Sequence, residues 1–504
     1  MTAPGTRAGE DAHDLDVEEA LALVKPPHRH TPGDHVAARG DHVPARGDHA
    51  SAPGDRASSP AQAPSPAPQN ATTDTTAAQG TGSTASAPRQ HAHHRAHHRA
   101  TPWPEARATA ERAGRTTRAG AGETGRSPVT VPLDAALGLV LAAPLAALTD
   151  LPSFDTSAMD GWAVAGPGPW TLREDGVLAG HAQPERLADG EAVRIATGAR
   201  IPPDTTAVLR SEHGLTDDKG RLHPTRDHLG HGQDIRPRAQ ECRSGDQLLP
   251  AGTPVTPVVL GLAAAAGYDT LTVVPRPRVD VLVLGDELLT EGLPHDGLIR
   301  DALGPMLPPW LRALGTEVTA VRRIGDDADA LHRAITDSEA DLVVTTGGTA
   351  AGPVDHVHPT LHRIGARLLV DGVKVRPGHP MLLARLTEGR YLVGLPGNPL
   401  AAVSGLLTLA EPLLRALAGR AAPERYALPL RDGAHGHPYD TRLIPVLLRG
   451  ERAVPLHYNG PAMLRGVAAA DALAVVPPGG AKPGQETEIL ELPWATTGLA
   501  ACST

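Results

Sequence analysis

Two adjacent acids, Asp286-Glu287, follow directly on the apolar run VDVLVLG (279–285). A second apolar run ends in Thr346-Gly347-Gly348-Thr349, and a third in Gly394-Leu395-Pro396-Gly397-Asn398-Pro399. In an open α/β sheet ligands bind outside the carboxyl ends of the strands, so these three ends define a candidate site. The segment TGGTAAG (346–352), followed by Asp355 and His356, lets backbone N–H groups approach an anion without Cβ obstruction. Two carboxylates about 4 Å apart repel by about 4 kcal/mol at an effective dielectric near 20, so an acidic pair beside an anion cradle calls for a counter-ion. Magnesium is the hard, oxygen-preferring choice. The turn Val375-Arg376-Pro377-Gly378-His379-Pro380 carries two cationic or potentially cationic groups. Spacing alone fits a surface hairpin and an oxyanion clamp equally well. Upstream, LPSFDTSAMDGWAV (151–164) sets Asp155, Thr156, Ser157, Asp160 and Gly161 in a loop between apolar anchors, and RIATGA (194–199) runs into a glycine turn. Either could be turn structure alone.

Two patterns are decoys. Gly120, Gly122 and Gly125 spell GxGxxG, but an Arg/Thr/Gly linker precedes them where the dinucleotide fingerprint needs a strand. The cluster HAHHRAHHR (91–99) reads as a solvated low-complexity stretch without the fixed surroundings of a metal site.

The elements that must position these residues fall into blocks. Residues 1–100 read as a mostly disordered tail rich in His, Pro, Gly and Ala, with a short amphipathic helix at 16–24. A helix is predicted over Trp103–Gly114, and continuous folded sequence from about Pro128. The Gly/Pro-punctuated stretch to about Pro275 reads as mixed α/β. From Arg276 to Gly419, apolar strands (279–285, 341–348, 391–397) alternate with helical segments (329–338, 398–419), which predicts a parallel sheet covered on both faces. Beyond 421, RLIPVLL, LAVVPPG and TEILELP read as a small β-barrel or sandwich, followed by a frayed tail.

Composition excludes several classes. The 504 residues carry a net charge of −10, against a general nucleic-acid binder. Two cysteines, Cys242 and Cys502, cannot make a disulfide framework. No stretch approaches the roughly 18 apolar residues of a membrane span, and no basic-then-apolar leader opens the chain, which predicts a cytoplasmic protein. Four lysines and a single phenylalanine, Phe154, leave the cores to Ala, Leu and Val. Phe154 and Trp162 both fall in the 151–164 loop, where they are expected to anchor the presentation of Asp160.

LPSFDTSAMDGWAV closely resembles the signature of the molybdopterin molybdenumtransferases, the family of bacterial MoeA and the gephyrin E domain. RIATGARIPPDTTAVL (194–209), GQDIRPRAQEC (232–242), LGDEL (284–288), TGGTAAGPVDH (346–356), VRPGHP (375–380), GLPGNPLAAVSG (394–405) and MLRGVAAADALAVVPPG (463–479) follow in the family's order. The resemblance implies an elongated α/β multidomain subunit. Its N-terminal domain would span 101–162 and 237–275, with an inserted small domain at 163–236. A parallel-sheet molybdopterin-binding domain would follow at 276–420 and a C-terminal β-barrel at 421–494.

It further implies a homodimer with its active site between subunits. That site would insert molybdenum from molybdate into adenylylated molybdopterin with release of AMP, and require Mg2+. Carried over by motif position, Asp160, Thr197 and Glu287 would be catalytic, and Asp286 with Glu287 would serve the metal. Asp301, Thr346, Gly347, Gly348 and Asp355 would hold the pterin nucleotide. Arg376, Gly378, His379, Pro380 and Ser404 would receive molybdate, with Pro396, Gly397 and Asn398 at the adjoining strand end. Molybdopterin adenylyltransferase and molybdoenzymes are the implied protein partners, with no nucleic acid or membrane. The chain departs from the family pattern at Leu284 for a threonine and at Ala302-Leu303, where an asparagine is lost. Ala239-Gln240-Glu241 replaces Gly-Glu-Asp, and Arg376 and His379 replace two lysines. These departures leave two alternatives: a catalytically weakened paralogue that binds or scaffolds cofactor intermediates, and a tungstate-preferring variant.

Overall fold

A computed structural model describes residues 100–120, 127–180, 184–225, 228–350 and 355–494. The predicted helix at 16–24, the low-complexity tail, the histidine cluster, the remainder of the GxGxxG pattern beyond Gly120, and Cys502 lie outside the described residues.

The α/β block is built on a six-stranded sheet in the order Glu317–Ile324, Arg278–Leu284, Leu342–Thr346, Arg390–Leu395, Leu382–Thr387, Arg367–Asp371. The first four strands are parallel, as the apolar runs predict. The last two pair antiparallel, an edge that the sequence reading did not contain. Alternation along the central strand explains the coverage of both faces. Val279, Val281 and Val283 enter one core with the helices Leu303–Ala313 and Pro399–Leu417, whereas Leu282 enters a second core with Ala328–Thr336 and Val357–Arg363. The helix Pro399–Leu417 is long and apolar enough to cross a membrane, yet 94% of it is buried in the protein. Its middle turn, Leu406–Ala410, widens to π geometry.

The helix predicted over 103–114 runs from Trp103 to Ala119. It packs on the α/β block: Trp103, Ala106 and Ala110 share a core with Leu413 and Leu417. A Cβ on Gly114 would come 2.6 Å from the Leu413 carbonyl oxygen, so glycine permits the close helix crossing. The Trp103 indole N–H donates to Thr408 Oγ1 (3.0 Å) and the Arg107 guanidinium to the Leu407 carbonyl, both in the π turn. Where a wide turn loosens the i→i−4 ladder, side chains from a neighbouring helix can satisfy the released groups.

Downstream of the helix, Val129–Pro132, Thr270–Val274 and Val140–Leu141 form a small sheet over the helix Pro257–Ala265, which Thr256 caps by accepting from the Val259 N–H (3.3 Å). The inserted domain is a six-stranded sheet that already includes Gly161–Val164. Trp162 and Val164 point to one face and Ala163 to the other, each into its own small core.

The C-terminal strands Thr441–Arg449, Ala472–Val476, Glu486–Glu491 and Ala427–Pro429 form a sheet, with Arg452–Pro455 on the other side of Thr441–Arg449. A bridge from Leu430 to Ala453 brings the two margins together into a barrel. This sheet also takes in Val373–Arg376 and, beyond it, Thr101–Pro102.

Candidate active site

Parallel register brings the three motif ends side by side, with Val283 opposite Thr346 and Thr346 opposite Leu395. The first N–H past two of these strands is tied to a neighbouring strand. Gly285 N–H donates to the Ile324 carbonyl (3.1 Å) and Gly347 N–H to the Leu395 carbonyl (2.8 Å), while Thr346 Oγ1 accepts from the Leu284 N–H (3.3 Å). Gly347 and Gly348 have φ of +79° and +65°, a left-handed turn that suits two consecutive glycines. Above these ends opens a cavity of about 790 Å³ whose lining includes Glu287, Asp301, Thr346, Gly347, Gly348, Asp355, Pro380, Pro396, Gly397 and Asn398.

A second cavity of about 370 Å³ shares Pro380, Pro396 and Asn398 with the first and is lined by Arg376, Gly378 and His379. Arg442, Asn459, Gly460 and Pro461 close it from the C-terminal domain. The whole Arg376–Pro380 turn lines this cavity. Gly378, at φ +110°, lies against the helix Pro399–Leu417, where a Cβ would come 2.8 Å from Met381 Cε and 3.0 Å from the Ala401 carbonyl oxygen. His379 donates its Nδ1–H to the Val373 carbonyl (2.9 Å), which fixes the ring orientation and the neutral tautomer. Arg376 donates through Nε to Asp440 Oδ2 (2.9 Å). The Leu400 and Ala401 N–H groups at the start of the long helix both donate to the Pro461 carbonyl (2.9 and 3.2 Å). The C-terminal domain, rather than a ligand, therefore satisfies that helix end.

The acids divide by environment. Asp301 accepts from the Leu303 and Gly304 N–H groups (2.9 and 2.8 Å) and pairs with Arg323 while buried, so its carboxylate is committed to starting a helix. Asp327 caps the next helix through the Asp329 and Ala330 N–H groups (2.8 and 2.9 Å). The Glu287 carboxylate lies over Gly285 and that of Asp286 against Gly325, in spaces that a Cβ on either glycine would fill. Only Glu287 of this pair lines the cavity. Among the described residues no three His, Cys, Asp or Glu side chains converge on a ready-made metal site. The donors at this end are hard carboxylate oxygens that fit magnesium, with substrate oxygens completing its shell.

Two expectations, for Ser404 and Phe154, need correction. Ser404 is fully buried, its Oγ donating to the Leu400 carbonyl (3.1 Å), and it supports the Gly378 turn from beneath without lining either cavity. Phe154 is not a buried anchor: it is 38% exposed beneath the Arg200 guanidinium (5.2 Å), and Trp162 alone is buried. Asp160 and Thr197 lie on the inserted domain and line neither cavity. They do form a unit, because Asp160 Oδ1 accepts from both the backbone N–H (2.7 Å) and the hydroxyl (3.1 Å) of Thr197. The backbone bond first, then the hydroxyl, hold the Asp160 carboxyl below the usual carboxylate range. Sequence reasoning missed Asp440, Arg442 and Asn459, which sit on irregular C-terminal loops and strand ends. The only available signal was the polar stretch HPYDTR preceding an apolar strand.

Comparison with known proteins agrees with this geometry. Three family profiles match in order: the MoeA N-terminal region (domains I and II) at 101–267, a probable molybdopterin binding domain at 280–416, and the MoeA C-terminal region (domain IV) at 427–492. The chain is 30% identical over 383 residues to a molybdopterin molybdenumtransferase of Staphylococcus aureus, covering 72% of this chain and 90% of that one. It is 38% identical over 317 residues to molybdopterin molybdenumtransferase 2 of Mycobacterium tuberculosis, covering 59% and 77%. Among solved structures, the molybdopterin biosynthesis MoeA protein of Pyrococcus horikoshii superposes with a TM-score of 0.63 at 25% identity, over 78% of this chain and 99% of that one. With all three regions present in sequence and the central fold shared, the chain belongs to the MoeA family of molybdopterin molybdenumtransferases.

Proposed function

We propose that the protein is a transferase of molybdenum cofactor synthesis that inserts molybdenum from molybdate into adenylylated molybdopterin and releases AMP. One observation carries this reading: the large cavity at the strand ends lies beside a small cavity bearing two arginines and a histidine, the two sharing Pro380, Pro396 and Asn398 in their walls. That pairing suits a large phosphorylated substrate beside a small tetrahedral oxyanion. Gly347 and Gly348 would let the backbone approach the pterin nucleotide, with Thr346 and Asp355 beside it and Asp301 fixing the nearby helix start. Pro396, Gly397 and Asn398 would lie where the two cavities adjoin. Arg376, His379 and Pro380 would receive molybdate on the Gly378 turn, with Ser404 beneath. Magnesium, held by Glu287 and Asp286, would supply charge neutralisation for the phosphoanhydride. Glu287 would orient the phosphates against that charge, and positioning with electrostatics suffices without a covalent nucleophile. In a homodimer, Asp160 and Thr197 would complete the cavity of the second subunit. A cytoplasmic setting and partners that deliver the adenylylated substrate or receive the cofactor belong to the same proposal.

The test is incubation of the purified chain with adenylylated molybdopterin, magnesium and molybdate. AMP and active cofactor should appear, and Glu287→Ala should lower the rate at least about a hundredfold, the scale for removing a transition-state electrostatic contact. Tight substrate binding with no AMP release would overturn the catalytic reading in favour of a scaffold.

A further inference from the structure

In the strand register Arg376 stands directly beside Arg442, and both residues line the 370 Å³ cavity. Two like charges on neighbouring strands need a counter-charge or independent restraints to share one small space. Arg442 is restrained by neutral acceptors, the His435 carbonyl (2.8 Å) and Asn459 Oδ1 (2.9 Å). Arg376 is treated differently. Its Nε donates to Asp440, whose side chain is fully buried although it belongs to the other domain. The Asp440 backbone is itself held in place, since its N–H donates to His437 Nδ1 (3.1 Å) just ahead of the strand Thr441–Arg449.

Asp440 therefore touches the first arginine but does not line the cavity. A guanidinium anchored through Nε has its plane set, so the edge formed by its two Nη groups is fixed in direction as well. A lysine has no second edge to anchor and cannot be aimed in this way.

We propose that Asp440 is a positioning residue for the oxyanion cavity: by holding Nε of Arg376 it aims that guanidinium at a bound tetrahedral oxyanion. The proposal rests on reading the cavity as the molybdate site. It explains how the chain accommodates arginine at a position where its family resemblance calls for lysine. A lysine there would act as a mobile point charge, whereas the Arg376–Asp440 pair is a fixed, oriented donor. The counter-charge also has a cost, because a carboxylate beside the cavity repels an anion. Geometry and charge thus make opposite predictions for removal of Asp440, and the proposal commits to geometry.

The experiment uses the full chain in five forms: unaltered, Asp440→Ala, Arg376→Lys, the double variant, and Asp440→Asn as an isosteric control for folding. At saturating adenylylated molybdopterin and varied molybdate, Asp440→Ala should raise KM for molybdate about tenfold and leave kcat within about twofold, the loss of one charge-assisted contact in binding. Asp440→Asn, which retains an acceptor for Nε, should recover part of that loss. In the Arg376→Lys background the same Asp440→Ala change should move KM less than about twofold, since lysine offers no anchored plane to lose. A fall in KM on removing Asp440 would mean that the carboxylate only drains charge, and equal effects in both backgrounds would mean that it only staples two domains; either result overturns the proposal. Equilibrium dialysis of molybdate alone separates the two readings. If the unaltered chain releases no AMP, the transferase reading fails, while weaker molybdate binding by Asp440→Ala would still support the positioning role and unchanged or tighter binding would overturn it.

Discussion

Asp160 shows how a single carboxylate oxygen can be prepared for work on an exposed surface. The Thr197 N–H and hydroxyl converge on it, and both favour the charged form. Because the folded-state pKa is depressed, the group stays ionised as pH falls through the ordinary carboxylate range and protonates only below it. Thr197→Val removes the hydroxyl and keeps the backbone donor. The Asp160 titration should then move partway back toward the ordinary value, read by carbon-detected NMR, and any acid-side loss of activity should begin at higher pH. An unchanged titration would show that the hydroxyl contributes nothing. The importance of Asp160 was legible in the 151–164 signature, but its partner was not, because a bond between residues 37 positions apart depends on a sheet register that no local pattern encodes. The same limit explains Phe154. Rarity drew attention to it, yet burial is decided by neighbours, and its neighbour proved to be the Arg200 guanidinium.

At the scale of elements, the turn at 375–380 is held by what lies under it. Gly378 at φ +110° abuts Met381 and the Ala401 carbonyl, so Gly378→Ala meets both backbone strain and crowding and should destabilise by about 1–3 kcal/mol in urea unfolding. Gly365, also at positive φ (+70°) but facing open space, provides the comparison: Gly365→Ala carries strain alone and should cost about 1 kcal/mol. Equal losses at the two sites would remove the case for close packing under the turn. The central strands were legible because continuous Val/Leu runs fit a sheet buried on both faces. The antiparallel margin was not. In Arg367–Asp371 only Val370 is buried, so its apolar signal is too thin to separate from a loop. Leu303–Ala313 is helical although it contains Pro308-Pro309, and the packing of Leu307, Trp310 and Leu311 offsets their cost.

At the scale of the whole molecule, the folded unit starts earlier than continuous sequence implied. Ala100 and Trp103 are buried, and the helix that follows is part of the α/β core. Removing residues 1–99 should leave the thermal midpoint and AMP release unchanged, whereas Trp103→Ala should cost about 3–5 kcal/mol, as for other buried large-to-small changes. A large loss on removing residues 1–99 would give the tail a role of its own. Family membership was legible from ordered motifs, each a local string. The contribution of the C-terminal domain to the small cavity was not, because Asp440, Arg442 and Asn459 carry meaning only once that domain is laid beside the 375–380 turn.

That arrangement also sets a timetable. Thr101–Pro102, Val373–Arg376 and Thr441–Arg449 are adjacent strands of one sheet, drawn from the beginning, the middle and near the end of the described chain. During synthesis, which proceeds from the amino end, the first of them must wait for the other two. The four parallel strands of the α/β sheet can assemble before residue 440 exists, but the smaller cavity cannot. A chain interrupted shortly after the long helix would possess the floor of the larger cavity and lack a wall of the smaller one, so this fold withholds its smaller cavity until the residues through Pro461 have been made.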